Sequence, residues 1–307
     1  MSDLSILFPG QGSQEPGMGR DLAEKWSTAM DLWKFAESES GLPLREIYWD
    51  GDLTAMAKTD ALQPALTVVN LSIWLYLKDI LKPAATAGHS LGEFASLGAS
   101  GVLSTEDTIK AVSLRGKLMS QVANTDHGMA AVLKLAQSDV EEAVEFGASE
   151  TGKELRVANY NSPAQYVISG EKAALDAAGT LIKEKKGRAI PLPVSGAFHS
   201  PLIQEAADEF ATYLAKLNWN APAFPVYFNV SASPESNAEE IKKIMSSQMT
   251  SSVRWIEIIA NQYDAGARTF LELGPKGVLT KLLVANLKGK DYEGKGIGNL
   301  EQADTLK

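Results

Sequence analysis

The pentapeptide Gly88-His89-Ser90-Leu91-Gly92 constrains this chain more than any other stretch. It has the form G-x-S-x-G. Small and apolar residues lead into it from Pro83 to Ala87, and a helical pattern leaves it from Glu93. A turn this tight between strand and helix tolerates no Cβ at its flanks, so glycines belong there, and the serine is left exposed at the strand's end. The pattern predicts an α/β fold with a nucleophile elbow and makes Ser90 the candidate nucleophile. The pentapeptide alone also allows a plain turn between buried elements.

A serine hydroxyl needs a base within hydrogen-bond reach, and near neutral pH that base is usually histidine. The chain has three histidines and no cysteine. The lack of cysteine removes thiol catalysis, disulfides and Cys-ligated zinc together. His89 adjoins Ser90 in the turn and should point away from it, as a packing or hydrogen-bonding residue. His127 stands where the chain's texture changes and reads as a surface or hinge residue. His199 lies in the loop Ser195-Gly196-Ala197-Phe198-His199-Ser200-Pro201 and is the base left by elimination. No carboxylate stands in an obvious triad position, Glu272 being the one tempting candidate. A backbone carbonyl could orient the imidazole instead. Arg115, beside Gly116 on an apolar-rich helix, is a candidate clamp for a carboxylate, which guanidinium binds bidentately. The other reading is a solvated helix arginine.

The formal net charge of −9 argues against broad nucleic-acid binding and requires a local cation for any anionic substrate. The start of the chain lacks the basic and apolar regions of a secretory signal, and the apolar run Ala65 to Leu77 is too short for a bilayer. A soluble cytoplasmic protein is expected. Leu4 to Phe8 reads as a buried strand followed by the loop Pro9-Gly10-Gln11-Gly12-Ser13-Gln14. The spacing of its glycines is wrong for a dinucleotide fingerprint. Helices are predicted over 21–40, 61–81 and from Thr108 to Val122, the last capped by Ser104 to Asp107. From residue 126 to 194 the pattern becomes βαββαβ, the order of a ferredoxin-like unit. The predicted organisation is an α/β catalytic domain over 1–125 and 195–307 with a small domain inserted at 126–194. Later come a strand over 224–230, another over 268–273, a helix over 277–287 and a peripheral polar tail.

Taken together these residues resemble the malonyl-CoA:acyl carrier protein transacylase family, related to the acyltransferase domains of polyketide and animal fatty-acid synthases. The likeness runs nearly end to end: Phe8 to Gln14, Gly88 to Glu93, Arg115-Gly116 with Met119, Asn159 to Pro163, Ser195 to Pro201, Gln248 with Val253-Arg254-Trp255, and Glu272 to Pro275. It implies a hydrolase-like main domain with a mostly parallel sheet, and a ping-pong transfer from malonyl-CoA to the phosphopantetheine thiol of acyl carrier protein, feeding fatty-acid synthesis. Ser90 would carry the acyl group and His199 would be the base. The amides of Gln11 and Leu91 would form the oxyanion hole, and Arg115 would clamp the malonyl carboxylate. Gln248, Phe198 and His89 would belong to the substrate site, with a backbone carbonyl orienting His199. No resident cofactor and no metal are implied, nor contact with membrane or nucleic acid, and the enzyme would act as a monomer. Gly196-Ala197-Phe198-His199 resembles the malonyl-selecting form of its loop.

The chain departs from the family pattern at Gly274-Pro275-Lys276-Gly277, at Lys281 and at Ser252. Because carrier proteins are acidic, docking calls for a basic patch, for which Lys183, Lys185, Lys186 and Arg188 are candidates beside the plainer reading of a solvated helix end. Two other functions remain open to the residues: a serine thioesterase or esterase with the same dyad, and a silent scaffold.

Overall fold

The computed structural model describes residues 3–51, 53–194 and 196–307. Met1, Ser2 and Ser195, which figure in the sequence reading, lie outside the described residues. Among the described residues ten strands form two sheets. The larger sheet has the order β10 (Glu293–Ile297), β9 (Thr269–Leu273), β1 (Leu4–Phe8), β2 (Ala85–Gly88), β7 (Val226–Tyr227) and β8 (Pro234–Glu235). All its pairings are parallel except that of β7 with β8. Its central strands are buried on both faces, which is why β1 and β2 read as unbroken runs of small and apolar residues. Helices Thr59–Leu77, Gly92–Ala99 and Thr105–Gln121 pack together in the main core with β1.

The smaller sheet has the order β4 (Leu155–Ser162), β5 (Gln165–Glu171), β3 (His127–Leu133), β6 (Arg188–Pro191), antiparallel throughout. This is the predicted βαββαβ arrangement. Alternation along β3 explains its two faces: Ala130 and Val132 join the core beneath helices Gln137–Thr151 and Lys172–Glu184, while Met129 and Ala131 face a cavity toward the large sheet. The edge strand β4 is tied to the main body through Val253, whose N–H donates to Ala158 O (2.8 Å) and whose carbonyl accepts from Tyr160 N (2.9 Å).

Several elements differ from expectation. The helix predicted over 21–40 is two, Arg20–Lys25 and Ser27–Ser40, because Trp26 adopts an extended backbone between them. The helix predicted over 61–81 runs from Thr59 to Leu77, so Pro64 lies beyond its first turn. The strand predicted over 224–230 shrinks to Val226–Tyr227, since the chain turns back at once through Ala232 N to Phe228 O. The tail is not peripheral: β10 extends the main sheet, and Ile297 and Ala303 are fully buried. One apolar residue among glycines and charges gives an edge strand almost no periodic signal.

Candidate active site

Strands β1 and β2 pair with Phe8 opposite Gly88, so the loop after β1 and the elbow after β2 leave the sheet at one level. They meet without room for side chains. A Cβ on Gly92 would fall 2.0 Å from Phe8 O, and one on Gly10 would fall 2.4 Å from His89 O and 3.6 Å from Leu91 N. The loop therefore lies against the elbow, and Gln11 and Leu91 both line the same cavity.

Ser90 itself has φ 50°, a left-handed conformation that a non-glycine residue keeps only when its surroundings impose it. Here the constraint comes from two buried amide side chains. Asn229 accepts from Ser90 N through Oδ1 (2.7 Å) and donates to Gly88 O through Nδ2 (2.7 Å). Gln248 Nε2 donates to Ser90 O at 2.8 Å.

The Ser90 hydroxyl lies 2.7 Å from His199 Nε2. On the far side of the ring, Nδ1 is 2.9 Å from Ser251 O. A carbonyl oxygen can only accept, so the proton sits on Nδ1 and Nε2 is the acceptor that faces Ser90. The third member of the constellation is thus a backbone carbonyl. Glu272 takes no part in it: its Oε2 accepts from the amide (2.7 Å) and hydroxyl (2.8 Å) of Thr280, at the start of helix Val278–Asn286. Burial, with Arg115 and His89 adding to it, lowers the His199 pKa to about 3, so the imidazole is neutral at rest.

Arg115 is only 1% exposed. Its Nη1 donates to Gln63 Oε1 at 2.8 Å, and its Nη2 donates to Gln248 Oε1 at 3.0 Å and to Ser90 Oγ at 3.3 Å. The guanidinium carbon stands 5.7 Å from the Phe94 ring centre. Among the described residues no carboxylate pairs directly with it, and its Nε has no hydrogen-bond partner. Burial lowers its pKa to about 10, against the pull of the Glu93 charge, so it remains a cation. A buried cation held by two neutral amides is disposed to receive an anion.

The cavity above these groups has a volume of about 310 Å³, and its lining includes Gln11, Ser90, Leu91, Arg115, Phe198 and His199. Gln248 lies beneath, fully buried, as the joint between Arg115 and the elbow. His89 reaches the lining too, but its Nε2 is engaged by Asn161 Oδ1 (2.7 Å) and its ring packs on Trp255 with centroids 5.4 Å apart. Of the predicted basic patch, Lys185 is already paired with Asp139 and Glu142 at 2.8 Å each, which leaves Lys183, Lys186 and Arg188 exposed.

Sequence reasoning overlooked Gln63 and Asn229 as parts of the site. Gln63 is one of two buried amides, with Asn70, in the apolar helix Thr59–Leu77, and Asn229 interrupts a run of buried apolar residues, so a buried polar residue in an apolar run was the available signal.

Comparison with known proteins now decides the family. Residues 6–303 match the family described as Acyl transferase domain. The malonyl CoA-acyl carrier protein transacylase of Haemophilus influenzae is 37% identical over 296 residues, 94% of each chain. The Staphylococcus aureus protein of the same name is 38% identical over 288 residues, 92% of each. The chain belongs to the acyl transferase family. Among solved members, an acyl carrier protein S-malonyltransferase from Vibrio cholerae superposes with TM-score 0.93 at 37% identity, covering 100% of both chains. A malonyl-transacylase in complex with a type II PKS acyl-carrier protein superposes with TM-score 0.93 at 33% identity, covering 99% of both.

The departures from the acyl transferase pattern are also accounted for. Lys276 holds φ 66°, where glycine would sit without strain, and its carbonyl accepts from Lys281 Nζ at 3.0 Å. The two unusual lysines thus support one another. Ser252, standing where proline is frequent, donates its hydroxyl to Val157 O at 2.7 Å and so helps seat β4.

Proposed function

We propose that this acyl transferase moves the malonyl group of malonyl-CoA to the phosphopantetheine thiol of an acyl carrier protein through a malonyl ester on Ser90. The observation that carries this reading is a Ser90–His199 contact of 2.7 Å in one cavity with a buried arginine that has no carboxylate partner.

In the first half-reaction the Ser90 hydroxyl attacks the thioester carbonyl while its proton passes to His199 Nε2. The oxyanion is met by the amides of Leu91 and Gln11, the former at the N-terminal end of helix Gly92–Ala99, where the helix dipole adds to the stabilisation. The tetrahedral carbon then expels the coenzyme A thiolate, which takes the proton back from His199. In the second half-reaction the carrier's thiol gives its proton to His199 and attacks the ester, and Ser90 leaves protonated. The malonyl carboxylate lies on Arg115 throughout. That pairing offsets the cationic field that depresses His199, so the substrate's own charge raises the basicity of the group that must accept the proton.

No step calls for a resident cofactor or metal. In this reading residues 126–194 act as the small domain over the catalytic domain formed by 1–125 and 195–307, with pantetheine between them. Lys183, Lys186 and Arg188 offer the acidic carrier a basic rim beside a cleft of about 970 Å³ that adjoins the catalytic cavity at Met129, Leu192 and Val194. Among the described residues no helix is long and apolar enough to cross a membrane. We place the enzyme in the cytoplasm, acting as a monomer. An esterase acting on neutral acyl groups would leave the Arg115 charge buried and unanswered.

The test is to trap radiolabelled malonyl on the protein. Label should appear on Ser90, vanish in Ser90→Ala, and pass quickly to holo-acyl carrier protein but slowly to water. Faster loss to water than to the carrier would make the protein a thioesterase, and no label at all would make it a scaffold.

A further inference from the structure

Glu93 is fully buried beneath the elbow, one turn after Ser90, and the transfer chemistry above does not use it. Its two oxygens have different partners. Oε1 accepts from Asn229 N at 2.6 Å and Oε2 from Gln248 Nε2 at 2.9 Å. Those are the two residues that hold the elbow: Asn229 through Ser90 N and Gly88 O, and Gln248 through Ser90 O. Gln248 also turns its Oε1 to Arg115 Nη2. The orientation of the Gln248 amide is thereby fixed. With Glu93 accepting from its nitrogen, its oxygen must face Arg115.

We propose that Glu93 is a positioning residue whose carboxylate couples the backbone of the nucleophile to the direction of the Arg115 guanidinium, and so sets the preference for an acyl group that ends in a carboxylate. This rests on the malonyl-transfer reading and deepens it.

Both partners of Glu93 are N–H donors, so the arrangement suits a carboxylate, which only accepts, and conflicts with a protonated acid. Burial pushes the group up to about 7, opposed by those two hydrogen bonds and by Arg115. Arg115 is the charged neighbour from helix Thr105–Gln121, and His199 feels both Arg115 and His89. Strands β1 and β2 carry no charged residue, and on helix Gln204–Leu214, whose Phe210 packs on Phe94, the acids Glu205, Asp208 and Glu209 are exposed. Acidification through about 7 therefore removes one acceptor beneath Gln248 and frees its amide to turn away from Arg115.

The test compares malonyl and acetyl loading of Ser90. In Glu93→Gln the new amide presents a donor to one of two donors. The expected loss in kcat/KM is about 30-fold for malonyl-CoA and about 3-fold for acetyl-CoA, the larger figure matching one misdirected bond to a charged group. The wild type gives a test that needs no substitution. Its malonyl-to-acetyl ratio should be constant above about pH 8 and should fall as pH drops from 8 to 5.5, whereas it should be flat in Glu93→Gln. The carboxylate of malonyl titrates well below this range, and the coenzyme A phosphates are common to both donors. Equal losses for the two acyl groups, or a wild-type ratio that ignores pH, would overturn the proposal while leaving malonyl transfer intact. A wild type that never acylates Ser90 would overturn the transfer reading itself.

Discussion

The two walls of the cavity are built on different principles. The wall from the large sheet is made by backbone packed against backbone: Phe8 O, Gly10, Gly88 and Gly92 approach so closely that no Cβ fits between them. Ser90 is strained there and held by amide side chains on both sides of its peptide groups. The wall from the small sheet is made by side chains standing on antiparallel strands, Met129 and Ala131 on β3, Asn159 and Asn161 on β4, whose register with β5 shifts around them, and Gln165 and Val167 on β5. In the proposed transfer, the hydroxyl, the imidazole and the two amides that must be placed to a fraction of an ångström belong to the first wall. The second wall shapes the approach to it and can change one side chain at a time.

Substitutions on the two walls should differ accordingly. The largest effect belongs to Gly92→Ala, whose methyl group would have to displace Phe8 O. It should cost about 4 kcal/mol, seen as a thermal midpoint lower by about 6 °C, and should abolish Ser90 acylation in whatever folds. A midpoint within a degree or two of the wild type would mean that the elbow is not packed as described. The smallest effect belongs to the outer edge of the small unit. Lys183→Glu with Arg188→Glu should leave acylation by malonyl-CoA unchanged and raise KM for acyl carrier protein about tenfold at low salt, with the difference fading as salt rises. An unchanged KM would remove this rim from the docking surface.

How much of this was legible in the sequence follows the same division. The elbow was readable because its physical demand for glycine on both sides of a serine leaves a contiguous mark. His199 could be found because only three histidines compete. The βαββαβ unit was readable because its antiparallel strands alternate and its helices are amphipathic. Other features left no local trace. The two-helix break at Trp26 rests on one extended residue, and β10 is defined by its neighbour β9 rather than by its own pattern. Asn229 and Ser251 reach the site through contacts 139 and 52 residues away in the chain. Ser251 contributes only a carbonyl, which any residue could supply. Its identity therefore carries no information, and the missing triad acid could be noticed in the sequence without revealing what replaces it.

In the proposed transfer Ser90 carries an acyl group chosen by the charge of Arg115. Equimolar malonyl-CoA and acetyl-CoA, mixed with the protein and quenched early, allow the Ser90 peptide to be weighed by mass spectrometry. Malonyl should be in large excess on the wild type, and Arg115→Ala should lose malonyl loading by about 10³-fold with acetyl loading nearly retained. Equal loss of the two acyl groups in the variant, or acetyl in excess on the wild type, would contradict this role of Arg115.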